Sequence, residues 1–399
     1  MSDAATALLD RLVGHFRQRE GRQGTIALHE PWFRGHEWDY VKDCLDTGWV
    51  SSVGAYVDRF EAMVAEACGT RFAIAAVNGT AATHVLLHAL GIGPGDLVVV
   101  PALSFVATAN AVAHCGAVPA FIDIDPATLG MSPAALRDFL AGECEWGGGL
   151  LRHRASGGRV AVVMPVHIFG HPCDMDGLNA VAAEYGLPLI EDAAEALGSR
   201  FRGRPCGGLG RAAMVSFNGN KLVTTGGGGM VVTDDEALAR RIKHLSTTAR
   251  VGKGWVFDHD EVGFNYRLPN LNAALGCAQM EALADTVARK RGLAQLYREL
   301  AEGIGGLSVF AEQPWAEGNY WLNAVIFEAP RKRDAFLDAS NAVGLQTRPC
   351  WRLLCDLPMY RDAPRGAGGL EAARRVESRL VCLPSSAFLH PGPVAEVRS

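Results

Sequence analysis

The stretch SFNGNKLVTTGGGGMVVTDD (216–235) decides how the chain is read. Two apolar, strand-like runs, Ala212–Phe217 and Met230–Thr233, bracket a segment of small residues and glycines that carries one amine, Lys221. Nothing around Lys221 reads as the face of a helix, so it is not a solvated helix-surface charge. A lysine in a desolvated, backbone-lined setting is a nucleophile able to form a Schiff base with an aldehyde. The plainer reading, a loop lysine capping a turn, loses ground only because other segments fit the first.

The first such segment is LPLIEDAAEALGSRF (187–201), where an apolar run ends in Glu191 and Asp192. Carboxylates at the end of a buried strand are costly without partners, and in an open α/β sheet the carboxyl ends of strands face the ligand. Asp192 is suited to hold a protonated ring nitrogen; taken alone it reads as the N-cap of the next helix. The second segment, AIAAVNGTAATHVLLHALGIGPGD (73–96), reads as strand, Asn78-Gly79-Thr80 turn and helix, whose first amides and Thr80 hydroxyl make an anion site.

Strands predicted at 72–76, 97–100, 118–122, 160–164, 187–190, 212–216 and 229–233 alternate with helices near 80–90, 104–114, 133–141, 174–185 and 234–246. That alternation gives an α/β fold with a mostly parallel sheet between helices. Residues 143–158 read as a surface loop. After Tyr266 the pattern changes to one long helix from Asn270 to about Glu302, short apolar pieces at Leu322–Phe327 and Leu345–Arg348, and a helix near 331–340. A large domain is expected over 1–265, with a helical arm at 1–25, and a smaller C-terminal α+β domain over 266–399.

The 399 residues are 49% hydrophobic and 20% charged, with a net charge of −5, which argues against a nucleic-acid surface. Ten cysteines are scattered with no CxxC pair, so no zinc ribbon is signalled, no metal is expected, and a reducing cytoplasm suits the chain. The first residues, with Asp3 and Asp10, do not read as a signal peptide. Leu97–Ile124 is nearly uncharged, but Pro101, Asn110, His114 and Pro119 break it into strand, helix and strand, so no membrane span is expected. His84 and His88 are four apart, but Val85 stands where a zincin has Glu, and they read as packing histidines. Gly226–Gly229 reads as a tight turn that lets backbone approach Lys221, with a phosphate cradle as the other reading.

In order along the chain, NGTAA (78–82), GPGDLVVVPALSFVATANAVAHCGAVPAFIDID (93–125), PVHIFGHPCDMDGL (165–178), EDAAEALGS (191–199), SFNGNK (216–221), GFNYRLPNLNAALGCAQME (263–281) and PMY (358–360) resemble the DegT/DnrJ/StrS-type sugar aminotransferases. Within that family, 27–61 and 348–360 are similar to enzymes of nonulosonic acid and N-acetylated amino-sugar pathways. The resemblance implies a fold type I enzyme with pyridoxal 5'-phosphate, working in amino-sugar and polysaccharide biosynthesis. It implies Lys221 as the cofactor-bearing lysine and Asp192 on the ring nitrogen. Gly79, Thr80, Ala81 and Ser216 would hold the phosphate, Phe105 would stack on the ring, and Asn265 would reach the phosphate of a neighbouring subunit in a homodimer. Read without the resemblance, Phe105 is a core aromatic, Ser216 a strand-end hydroxyl and Asn265 a turn residue.

Two positions depart from the family. Glu195 stands where Gln or His often meets the cofactor's phenolic oxygen. An ionised Glu only accepts hydrogen bonds, so it is either protonated or its role has moved, as toward the substrate. Gly227 replaces the acid of the usual TTGEGGM. The substrate rim implied by resembling segments is Trp49, Ser51, Tyr320, Arg348 and Trp351. The implied reaction is ping-pong transfer of an amino group from L-glutamate to a nucleotide-linked 4-keto-6-deoxy sugar, UDP-linked and N-acetylated on the finer match. A 3-keto sugar aminotransferase, a cofactor-dependent sugar dehydratase and a non-catalytic sensor are the alternatives; the dehydratases carry His at the place of Lys221.

Overall fold

The computed structural model describes residues 3–252 and 254–391. Its large sheet is built from β1 (Phe72–Ala76), β2 (Asp96–Pro101), β3 (Val118–Ile122), β4 (Arg159–Val163), β5 (Ile190–Asp192), β6 (Ala212–Ser216) and β7 (Gly229–Thr233). The order across the sheet is β1-β7-β6-β5-β4-β2-β3, with β5 joined to β4 through the parallel bridge of Leu189 to Val163. β7 runs antiparallel to both of its neighbours, while the pairings among the other six are parallel. The mostly parallel, helix-covered sheet expected from the alternation is therefore present. Most of its strands have apolar interiors, as in Leu97–Val100 of β2, because both faces are covered.

The helices Gly79–Ala89, Pro133–Glu143, Met175–Glu184 and Glu236–Ser246 start on Asn78, Ser132, Asp174 and Asp235, whose side chains accept an amide of the first turn. Each cap satisfies one of the amides that a helix start leaves unpaired. These polar residues locate the helix starts to within a residue or two of the expected positions.

Three elements differ from expectation. Residues 143–158 contain a hairpin, Cys144–Gly147 with Leu150–His153, that joins the edge of β4 through Arg152 and Arg159. Gly148 and Gly149 at φ 61° and 79° form the two-residue turn that such a hairpin requires. The predicted strand 187–190 begins later, so Glu191 and Asp192 lie inside β5 rather than after it. The long helix divides into Asn270–Glu281 and Leu283–Ala301, with the break at Ala282 marked by neither glycine nor proline.

The first of those two helices packs its Ala273, Cys277 and Met280 into the apolar cluster beneath the large sheet. Asn270 at its start is buried; its Oδ1 accepts the Tyr56 and Val57 amides, and its Nδ2 donates to the Trp49 carbonyl. A second, antiparallel sheet has the order Leu307–Val309, Asn323–Phe327, Leu380–Leu383, Arg348–Pro349. The arm helix Asp3–Val13 does not stand free. Leu8, Leu9, Leu12 and Phe16 join Leu293, Tyr297, Val325, Phe327, Phe336 and Val381 in one cluster on that C-terminal sheet.

Phe16 is fully buried, with its ring 6.3 Å from that of Tyr297. Phe16→Ala is expected to cost about 3–5 kcal/mol, the loss typical of a buried phenylalanine. Chemical denaturation would measure it, and a loss below about 1 kcal/mol would mean that the arm adds little to the fold.

Candidate active site

A cleft of about 760 Å³ opens at the carboxyl ends of β2, β5 and β6 and is closed by the C-terminal segment. Ser104, Phe105, Asp192, Glu195, Ser216 and Lys221 line one side; Trp321, Arg348 and Trp351 line the other. This is the edge where ligands bind in open α/β sheets.

Adjacent residues of a strand point to opposite faces, and β5 uses this to separate its two carboxylates. Glu191 turns away from the cleft. It accepts the amides of Gly207, Leu209 and Gly210 at 2.7–2.8 Å and meets His167 Nε2 at 3.0 Å. His167 Nδ1 accepts the Cys173 amide, so Nε2 carries the proton it gives to Glu191. Glu191 is thus a structural carboxylate with a full set of donors.

Asp192 faces the cleft. Its Oδ2 accepts the Thr108 hydroxyl at 2.8 Å, which is itself paired with Ser104, and its Oδ1 accepts the Ala194 amide at 3.1 Å. Burial nevertheless pushes its carboxyl above the ordinary value, against the Thr108 and Ala194 hydrogen bonds and the Lys221 charge. A cation on its free side would offset that cost.

Lys221 Nζ lies 3.2 Å from Glu195 Oε1 and 3.8 Å from the centroid of the Trp321 ring. Glu195 is therefore turned toward the lysine, and its other oxygen accepts the Phe169 amide at 2.8 Å. Burial raises its carboxyl, and the Lys221 cation opposes the rise. The glycines of 226–229 serve a different approach from the one expected: a Cβ on Gly229 would meet the Asn78 carbonyl at 2.4 Å and the Gly79 amide at 2.6 Å. Gly229 thus admits the turn at 78–79, a Cβ on Gly228 would meet Thr225 Oγ1 at 2.3 Å, and Lys221 is among the nearest neighbours of none of the four. Where the family acid is replaced by Gly227, Asn272 Nδ2 holds the loop by the carbonyls of Thr225 and Gly227.

The register sets the anion end. Ala76 and Ser216 both pair with Gly229, so the helix start at Gly79 lies against Ser216. A Cβ on Gly79 would sit 3.2 Å from Ser216 Oγ. The Ala81 amide is taken by Asn78 Oδ1, which leaves those of Gly79 and Thr80 without an intrahelical partner.

Phe105, Arg348 and Trp351 lie on the cleft, where Trp351 bridges the rings of Phe105 at 6.3 Å and Phe169 at 5.2 Å. Five sequence-derived candidates lie off its lining. Ala81, expected at the phosphate, gives its amide to Asn78 instead. Trp49 and Ser51 lend their carbonyls to Asn270. Tyr320, at φ 50°, is buried between His171 and Arg291. Asn265 is exposed and bridged to Thr247. Thr108, His29, Gln346 and Trp321 were missed. Trp321 follows Tyr320 directly, and the tilt of that backbone carries the second aromatic, not the first, into the cleft. His84 packs on Phe264 and bonds Tyr266. The other lysines weighed against Lys221, namely Lys42, Lys243, Lys253, Lys290 and Lys332, are expected in polar or helical surroundings; Lys290 lies in a helix but is fully buried there and bonds the Trp321 and Ser385 carbonyls. Lys253 lies outside the described residues. A cluster of His244, Asp260 and Glu261 has metal-ligand types, but Arg241 already pairs with Glu261.

The donor set fits pyridoxal phosphate. Lys221 supplies the amine that would hold its aldehyde, Asp192 the carboxylate for its ring nitrogen, and Gly79, Thr80 and Ser216 the donors for its phosphate. When bound, that cofactor supplies a ring that takes up the electrons of a bond broken beside the amino nitrogen.

Fold and site define a pyridoxal phosphate-dependent aminotransferase of fold type I. Residues 33–399 match the DegT/DnrJ/EryC1/StrS aminotransferase family, and the chain belongs to it. It is 37% identical over 345 residues to the GDP-perosamine synthase of Caulobacter vibrioides, covering 84% of this chain and 86% of that one. The GDP-perosamine synthase of Vibrio cholerae is 36% identical over 337 residues, covering 84% and 87%. The crystal structure of DesI in the presence of its TDP-sugar product superposes with a TM-score of 0.79 at 32% identity, covering 91% and 88%. The chain is a nucleotide-sugar aminotransferase. Among the described residues, no helix is long and apolar enough to cross a membrane.

Asp192→Asn should retain cofactor but lose roughly ten- to a hundredfold in rate, the worth of one charge-assisted hydrogen bond felt in the transition state. It also has a signature without cofactor. Burial raises the folded-state pKa above 3.8, so as pH rises the unfolded chain releases this proton first and the carboxylate costs stability near neutral pH. The amide removes that cost. The melting temperature of the cofactor-free variant should exceed that of the parent near neutral pH, with the gap closing as pH falls toward 3.8. Wild-type turnover in the variant would reduce Asp192 to a structural residue.

Proposed function

We propose that this chain transfers an amino group from L-glutamate to the keto carbon of a nucleotide-linked 4-keto-6-deoxy sugar, with Lys221 as the cofactor-bearing lysine and proton relay. The observation that carries the reading is the shared cleft of Lys221 and Asp192, beside the anion end formed by Gly79, Thr80 and Ser216. The freed Lys221 amine would take the proton from the donor carbon as general base and give it, as general acid, to the carbon that carried the aldehyde. Asp192 keeps the ring nitrogen protonated. Arg348 and Trp351 at the mouth suit a nucleotide, a cation for its phosphates and an aromatic face for base or sugar, while Phe105 is the aromatic expected on the cofactor ring.

The finer resemblance favours a UDP-linked N-acetylated sugar, whereas two relatives above 35% identity are synthases of GDP-perosamine. That name favours a GDP-linked acceptor here. Borohydride reduction with peptide mapping should find the cofactor on Lys221, and Lys221→Ala should abolish transamination. GDP-, UDP- and TDP-linked 3- and 4-keto sugars assayed with L-glutamate should give turnover with the GDP 4-keto sugar. Turnover with the UDP-linked N-acetylated sugar alone would restore the finer reading. Water loss without amination would indicate a dehydratase, and no turnover with any donor a sensor.

The working unit in this reading is a homodimer with shared sites. Asn265 is exposed and away from its own cleft, near the exposed Trp255, Phe257 and Val262. Lys221→Ala chains mixed with Asn265→Asp chains would form mixed pairs in which one site carries both defects and the other none. Once subunit exchange is shown by tag capture, the mixture should exceed the summed activity of the two parents. No gain after proven exchange would remove Asn265 from the partner's site.

A further inference from the structure

We propose that Glu195 and the indole face of Trp321 form a cradle for the free Lys221 amine, and that both are positioning residues for its proton relay. The inference rests on Lys221 being the cofactor-bearing lysine. It concerns the intervals when that amine is released, which a lysine on a flexible four-carbon stem spends in many rotamers unless it is held.

Three contacts define the cradle: Lys221 Nζ to Glu195 Oε1 at 3.2 Å, Lys221 Nζ to the Trp321 ring at 3.8 Å, and Trp321 Nε1 to the Asn220 carbonyl at 2.7 Å. The last contact ties the indole to the residue preceding the lysine. A carboxylate and an indole face are the two side-chain surfaces that attract an ammonium most strongly. The neutral amine that takes the donor proton becomes an ammonium with three N–H donors. Glu195 takes one, the ring attracts the charge from a second side, and a third remains for the reacting carbon.

The walls are rigid and joined to each other. Asn319, fully buried, donates from Nδ2 to the Glu195 carbonyl at 2.8 Å and the Leu197 carbonyl at 2.9 Å, while its Oδ1 accepts the Trp321 amide at 2.7 Å. One side-chain amide thus sets the distance between Glu195 and Trp321. Gly170 makes room for it, because a Cβ there would lie 1.8 Å from Asn319 Oδ1. The neighbouring Phe169, at φ 55°, gives its amide to Glu195 Oε2. Behind the indole, the Trp321 carbonyl accepts Lys290 Nζ at 3.1 Å. The departure of Glu195 from the commoner Gln or His has its reason here, since a carboxylate holds a cation better than a neutral side chain does.

The test separates the cradle from mere packing. Tryptophan fluorinated at one to three ring positions, placed at 321 by codon suppression, keeps the shape and the Nε1–H while weakening the attraction of the ring for a cation. In the cofactor-free chain, carbamylation of Lys221 by cyanate, read by peptide mapping, should rise stepwise with fluorine number and by roughly two- to thirtyfold in Trp321→Leu. Glu195→Gln should raise it as well. In the loaded enzyme, the same series should lower kcat stepwise and raise the isotope effect of α-deuterated glutamate, with KM for the donor unchanged. Carbamylation that is flat across the fluorine series overturns the cradle, even with the cofactor mapped to Lys221. Cofactor mapped to another lysine overturns the assignment beneath it. A loss in Trp321→Leu without a fluorine dependence assigns the indole to packing and also overturns the proposal.

Discussion

Two carboxylates side by side in a buried strand are the constraint on which this site depends. The pleat of β5 sends Glu191 and Asp192 to opposite faces, and each face gives a different answer to the cost of burial. Glu191 is surrounded by three backbone amides and a histidine, and so it pins the 207–210 turn beneath the sheet. Asp192 is held by Thr108 and Ala194 yet keeps an open side on the cleft. A fully compensated carboxylate would have no remaining demand for a cation. The incomplete compensation of Asp192 leaves room for a cation, which the proposed contact with a ring nitrogen would supply.

The reversed strand β7 has a comparable effect at the anion end. Running against its neighbours, it brings Gly229 opposite both Ala76 and Ser216, and only a residue without a side chain admits the 78–79 turn at that point. The helix start and the strand-end hydroxyl are brought together by one register. Lys221 then falls in the β6–β7 connection, on the cleft that the anion end and Asp192 also line.

Much of this was legible in the chain itself. The β-branched strands, the Asn, Ser and Asp caps and the glycine turns are local signals, and their chemistry does not depend on distant residues. Lys221 and Asp192 stood out because a charge beside a buried strand is expensive wherever that strand packs. The hairpin at 144–153 is hidden in the sequence because Gly148-Gly149 has the composition of a loop, and only its φ values of 61° and 79° show the turn.

The sequence by itself determined the class of fold and the family and singled out Lys221 and Asp192 as the candidate pair, because periodicity and motif order are written in short segments. The tertiary structure alone decided which neighbours of that pair take part. Trp321 rather than Tyr320 faces the lysine because the left-handed backbone at Tyr320 turns that ring onto His171. Glu195 meets Lys221, and Asn319 joins Glu195 to Trp321, across separations of 26 and more than 100 residues. Contacts of that span have no local signature: the first arises when β5 and β6 pair in the large sheet, and the second only when the C-terminal segment closes over the carboxyl ends of that sheet.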